Sequence, residues 1–236
     1  VSVLPLDVDE DASVRGAATH LSGERGRIDV LVNNAGMAPM GAIEELPLAE
    51  FRRAMETNYF GAVRCIQAVL PSMRTQRQGC LINVTSVAGR IALAATAAYT
   101  ASKFALEALS EVLAQEVQAF NIRMAIVEPG VIQTPIFDKM RDMPAEPRYS
   151  HERRLQALFA ASLRQPVAPA VVGEQIRHIL ESESWQLRYP VGPDAAPFLA
   201  WRAGMSDAAW VDYHATRDDD TWYQRIAQDF GLDARP

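Results

Sequence analysis

The sequence is short of several things, and each shortage removes a class of protein. It has two cysteines, Cys65 and Cys80, in 236 residues, and neither sits in a CxxC. A disulfide scaffold is excluded, and two free thiols in a cytoplasmic chain are the natural reading. Its four histidines (His20, His151, His178, His214) are scattered, with no HxxxH or HExxH pair. No zinc site follows. No segment approaches the roughly 20 apolar residues of a membrane span, and the start Val1-Ser2-Val3-Leu4-Pro5 lacks the charged region of a signal peptide. Lysine is scarcest: among 23 basic residues only Lys103 and Lys139 are lysine. The net charge of −6 comes without a basic run, which argues against nucleic acid and anionic membrane as partners.

What is present is the pattern of one large soluble domain, 49% apolar and 22% charged. Val1 to Val8 alternates loosely, like a short strand, and Asp9 to Ser22 carries Val14, Ala17, Ala18 and Leu21 at helical spacing. Ile28-Asp29-Val30-Leu31-Val32 is a β-branched run that stops at Asn33-Asn34-Ala35-Gly36. Pro47 sits where a helix can start, and Leu48, Phe51, Met55, Ala62, Ile66, Val69 and Met73 predict one long amphipathic helix. Cys80 to Thr85 reads as a buried strand. Ala97 to Ala119 reads as a helix with Ala105, Leu109, Val112 and Leu113 on one face. Ile122 to Val127 is a further strand, halted by Pro129-Gly130. Continuous apolar strands alternating with helices predict a doubly wound parallel sheet, Rossmann-like, in three α/β/α layers. Ligands of such sheets sit beyond the carboxyl ends of the strands. The search therefore narrows to Asn33–Gly36, Ser86–Gly89 and Pro129–Thr134.

Beyond residue 134 the pattern loosens. Ile136 to Pro169, with Pro144, Pro147 and Pro166, reads either as a mobile apolar lid or as a plain surface excursion. Val171–Leu180 predicts a helix and Leu187–Val191 a last strand. Residues 1–195 are read as the catalytic domain and 196–236 as its C-terminal extension, rich in Phe198, Trp201, Trp210, Tyr213, Trp222 and Tyr223. Asp218-Asp219-Asp220 reads as a solvated turn rather than a metal site.

Tyr99 and Lys103 stand four apart at the start of a helix, hence on one face. A phenol near pKa 10 is a poor acid/base at neutral pH, and a nearby ammonium favours its phenolate. With 6 tyrosines and 2 lysines in the chain, roughly 0.05 such Tyr-x-x-x-Lys pairs arise by chance. Ser86 closes a strand 13 residues earlier, where a hydroxyl can donate to an oxygen gaining charge. Its context, Thr85-Ser86-Val87-Ala88-Gly89, is not the G-x-S-x-G elbow of hydrolases.

Asn33-Asn34-Ala35-Gly36, Asn58, Ser86, Tyr99-x-x-x-Lys103 and Pro129-Gly130 with Thr134 resemble, in order and spacing, the short-chain dehydrogenase/reductase family. Tyr99 to Glu107 and Tyr189 to Ala195 resemble its 17β-hydroxysteroid and retinol dehydrogenase branch. The resemblance implies an NAD- or NADP-dependent oxidoreductase acting on a hydrophobic alcohol/ketone pair. Tyr99 would be the general acid/base and Ser86 would orient the substrate oxygen. Lys103 would lower the Tyr99 pKa and hold the nicotinamide ribose. Asn58 would hold a relay water. Asp7, Asn33, Ala35, Gly36, Pro129, Gly130 and Thr134 would line the cofactor. The flanking Val87, Ile91, Leu93, Ile136, Phe137 and Met140 suggest an apolar substrate. The helices near 47–75 and 98–119 pair across subunits in the family, so a homodimer or homotetramer is implied. The sequence departs from the family in one respect: the first two strands and the Gly-rich turn TGxxxGxG are not in it. From this, about 50 to 60 further residues, the size of two βα units, are expected in a longer chain. The competing reading is a catalytically silent binding or scaffold subunit on the same fold.

Overall fold

The structure, a computed structural model, describes residues 2–137 and 147–235. Its sheet has four parallel strands in the order of the chain: β1 (Val30–Asn33), β2 (Gly79–Val84), β3 (Ile122–Pro129) and β4 (Arg188–Val191). Register is direct, with Leu31 opposite Leu81, Leu81 opposite Met124, and Val127 opposite Tyr189. Alternation along the strands divides the core. Leu81, Met124 and Ile126 face helices α3 (Gly61–Gln76) and α4 (Ala97–Val117), meeting Ile66, Val69, Met73, Leu113 and Val117. Cys80, Ile82, Ala125 and Val127 face the other way, onto Ile179 of α6 (Ala170–Glu181). This is the three-layer arrangement that the alternating pattern predicts.

Three expectations need correction. The strand expected at Val1–Val8 is not formed over the described residues: from Ser2 the chain runs irregularly to a turn before α1 (Asp11–Arg25). A strand exists by pairing, and no described strand lies beside this segment. Its Val8 packs instead on α3, where a Cβ at Gly61 would come within 2.8 Å of Val8 Cγ2. For the same reason β1 is an edge, and Val30 and Val32 are each 37% exposed. The second correction concerns α4. Val112 is exposed, and the inward face carries Ala98, Ser102, Lys103, Leu106, Ser110 and Leu113. Leu113 is buried and Leu109 packs on the core as expected, but the rest of the buried stripe is largely polar, so apolar spacing alone did not trace it. Third, the long helix after Pro47 is interrupted. α2 (Leu48–Met55) passes through a wide π-helical turn, Glu56–Phe60, before α3.

The C-terminal region is helical. α5 (Ser150–Ser162) occupies part of the proline-rich stretch, and α7 (Ala195–Ala203), α8 (Asp207–His214) and α9 (Asp219–Phe230) form the tail. Asp218 is the N-cap of α9, its carboxylate accepting from Thr221 N at 2.8 Å. Phe198 and Trp210 bury against Ile91, and Trp222, Tyr223 and Ile226 against Leu158. No helix among the described residues is long and apolar enough to cross a membrane.

Candidate active site

A cleft of about 460 Å³ opens at the carboxyl ends of β2 and β3. Its polar floor comes from α4. Because Tyr99 and Lys103 are one turn apart, both side chains reach the cleft, with Lys103 Nζ 5.8 Å from the Tyr99 ring centroid. Ser86 arrives from β2. Its Oγ accepts from Ala88 N at 3.1 Å, capping the tight turn Val87–Gly89. That turn lies flat on α4 because Gly89 has no Cβ, which would meet Glu107 Cγ at 2.8 Å. Ser86 is thereby held at the cleft that Tyr99 and Lys103 also line.

Burial raises the Tyr99 pKa, and the Ser86 hydroxyl only partly offsets it. The lowered value implied by the family resemblance is therefore not the state seen here. Burial pulls Lys103 down to about 8, against an upward pull from Glu107. The Lys103 ammonium donates to Val84 O at 2.9 Å. Behind it lies a buried acid network that sequence reasoning missed. Glu107 accepts from Thr85 Oγ1 at 2.6 Å and from Arg188 Nε at 3.0 Å. Glu128, fully buried, faces Arg90 and Arg188, and burial raises its pKa. The only signal of this network in the sequence was three charges at positions patterned as buried.

Asn58, at 1% exposure, sits in the π turn. Its Oδ1 accepts from Met37 N at 2.8 Å and its Nδ2 donates to Met37 O at 2.9 Å and Ser102 Oγ at 2.8 Å. Ser102 in turn donates to Tyr99 O at 2.7 Å. Asn58 thus ties the loop after β1 to the first turn of α4 without lining the cleft. Gly36, Ser86, Tyr99, Lys103, Pro129, Gly130 and Thr134 do line it. Asn33 and Ala35 do not; Asn33 donates to Asn83 Oδ1 at 2.8 Å, and the neighbouring Asn34 takes the lining position. Asp7 is exposed and away from the cleft, its Oδ1 accepting from Asp9 N. Val87, Ile91, Leu93, Ile136 and Phe137 form apolar walls as expected, while Met140 lies outside the described residues. No histidine lines the cleft among the described residues, so Ser86 has no partner for a hydrolase mechanism. Asp194 was missed as well. Its Oδ2 accepts from Val131 N at 2.8 Å, and Gly130 must be glycine because a Cβ there would lie 2.1 Å from Asp194 Oδ1.

The nicotinamide end of a dinucleotide fits this donor set. Lys103 spends one of its three protons on Val84 O, leaving two for ribose hydroxyls. Gly36 lines the same end of the cleft, where a Cβ would press on Asn58 Oδ1 at 3.3 Å. For the pyrophosphate the sequence contains no Gly-rich turn. Among the described residues no cluster of three or more acids, histidines or cysteines could hold a metal.

The family model described as short chain dehydrogenase matches residues 1–145. An uncharacterized oxidoreductase of Schizosaccharomyces pombe is 30% identical over 217 residues, covering 91% of each chain. Retinol dehydrogenase 8 of Homo sapiens is 45% identical over 140 residues, 59% of this chain and 44% of that one, so this match spans less than half of that relative. A solved short-chain dehydrogenase from Streptomyces avermitilis superposes with a TM-score of 0.78 at 35% identity, covering 95% of this chain and 79% of that chain.

Proposed function

The chain belongs to the short-chain dehydrogenase family, and on that premise we propose that it interconverts an alcohol with a ketone or aldehyde on a hydrophobic small molecule, using NAD or NADP. The observation that carries this reading is the convergence of Ser86, Tyr99 and Lys103 on one cleft whose walls are otherwise largely apolar, with Lys103 Nζ 5.8 Å from the Tyr99 ring centroid. When bound, the nicotinamide supplies or accepts the hydride. The chain supplies the proton and the position. Ser86 donates to the substrate oxygen and holds it beside the Tyr99 hydroxyl. Tyr99, kept protonated by burial, is the acid in carbonyl reduction and, its proton removed, the base in alcohol oxidation. Lys103, near 8, exchanges its proton close to neutral pH and can replenish Tyr99 during turnover. Glu107 is a positioning residue that biases Lys103 toward its charged form. The apolar walls exclude water and select an apolar body, in keeping with the retinol named for one relative.

A homodimer or homotetramer in the cytoplasm completes the reading. Phe104 and Val112 of α4 and Phe60 of the wide turn are 42%, 53% and 45% exposed, apolar surface that suits contact with a second copy. Both cysteines are buried free thiols, in keeping with a reducing compartment. The test is absorbance at 340 nm with a panel of apolar ketones: Tyr99→Phe should abolish turnover, and unchanged turnover would sink the assignment.

A further inference from the structure

Lys103 is the innermost member of a line of charges along α4. Lys103, Glu107 and Glu111 stand four apart, hence on one face. Exposure rises along the line: Lys103 and Glu107 are buried, while the Glu111 side chain is 56% exposed. Consecutive residues at the end of β2 grip the buried pair. Val84 O accepts from Lys103 Nζ at 2.9 Å, and Thr85 Oγ1 donates to Glu107 Oε1 at 2.6 Å.

The other two strands complete the cluster. Side chains alternate along a strand, which puts Glu128 of β3 on the α4 face with Met124 and Ile126. Arg188 of β4 reaches both buried acids. Its Nε is 3.0 Å from Glu107 Oε2 and 3.7 Å from Glu128 Oε1, and its Nη2 is 3.2 Å from Glu111 Oε2. Arg90, in the turn after β2, approaches Glu128 Oε1 at 3.5 Å with its own side chain nearly half exposed. Two buried carboxylates therefore share one inner guanidinium. Glu128 is the worse served: it is fully buried, and its Oε2 has no hydrogen-bond partner among the described residues. A buried carboxylate so poorly met is a place for a proton to rest. Burial, with Glu107 beside it, raises the Glu128 pKa, while burial pulls Lys103 down to about 8. Acid and base are displaced toward one another.

We propose that Glu128 and Arg188 are positioning residues for the proton chemistry of the cleft, linking the charge on Glu128 to the charge on Lys103 through Glu107. The inference deepens the oxidoreductase reading and takes from it the role of Lys103. When Glu128 is ionised it holds a share of Arg188, and Glu107 keeps more of its negative charge for the ammonium one turn away. When Glu128 carries a proton, Arg188 turns wholly to Glu107, and Lys103 gives up its proton more readily. The proton is thus held at one end or the other, and the buried cluster keeps its total charge, which is costly to change. The remaining neighbours do not compete. Tyr99 is protonated, Thr85 and Val84 present neutral oxygens to the pair, and Glu111 is screened by water.

The test is a carbon-13 NMR titration of the full chain labelled at lysine Cε, a signal that follows the ammonium. With two lysines in the chain there are two signals, and Lys103→Arg assigns them. Glu128→Gln keeps the shape and fixes the neutral form. It should weaken proton binding at Lys103 about threefold, and Glu107→Gln should do so about tenfold. In the Glu107→Gln background, the Glu128 change should have less than half its effect. A Lys103 midpoint that Glu128→Gln leaves in place would overturn the proposal; a merely structural Glu128 would alter the melting temperature alone. An effect retained by half or more without Glu107 would also overturn it, because Glu128 would then act on Lys103 directly. The titration needs no turnover. A displaced midpoint in a chain that reduces no ketone keeps the linkage and sinks the redox reading, and an unmoved midpoint in an active chain does the reverse.

Discussion

The two walls of the cleft are built by different physics. The wall of β2, β3 and α4 is fixed by directional bonds: Ser86 to Ala88, Lys103 to Val84, Asn58 to Met37 and Ser102, Glu107 to Thr85 and Arg188. The opposite wall, from α5 and α7, is apolar, and the rings of α8 and α9 back it from behind. Trp201 alone lies within 4.7 to 5.1 Å, centroid to centroid, of Trp210, Phe230 and Tyr213. Proton transfer needs atoms placed to within tenths of an ångström, which hydrogen bonds enforce. Recognition of an apolar body needs shape and area, which aromatic packing provides. The division separates what the protein does from what it does it to.

That separation can be broken from either side. The largest effect belongs to the bonded wall: Tyr99→Phe should lower kcat by about 10² to 10⁴-fold with little change in melting temperature, read at 340 nm and by calorimetry. The next belongs to the ring wall. Trp222→Ala, at a site 4% exposed, should cost about 3–5 kcal/mol in urea unfolding, because it empties part of the tail core rather than the site. The pH response comes third. His214 has a folded pKa of about 4 against 6.5, so the unfolded chain binds the proton more readily. Stability should therefore be complete above pH 6.5 and fall as pH drops toward 4, by up to about 3 kcal/mol. In His214→Phe that acid slope should flatten. The smallest effect sharpens the contrast: Asp218→Ala removes the α9 cap and should lower the melting temperature slightly while leaving kcat unchanged.

The bonded wall was also the more legible in sequence. Tyr99, Lys103 and Ser86 announced themselves by spacing and by their place at strand ends, because a parallel sheet puts its ligands there. Glu107, Glu128 and Arg188 did not, since a buried charge is intelligible only once its partners in distant segments are known. The ring wall showed its aromatic content but not its contacts. Prolines around 144–166 hid α5, whose buried face includes Arg154 and Glu152, polar residues that a search for apolar spacing passes over. Val1–Val8 read as a strand because pairing, unlike alternation, is not written in one segment.

The wide turn at Glu56–Phe60 has a consequence for the gene rather than the enzyme. A helix advances about 100° per residue, so an extra residue in one turn acts as an angular shim between α2 and α3. Deleting a single residue there would straighten the helix and swing α2 by about that angle. Ala54 would be carried off its seat against Leu46 and Ala98, and Asn58 off Met37. Side chains on the outside of this stretch can drift through evolution; its length cannot.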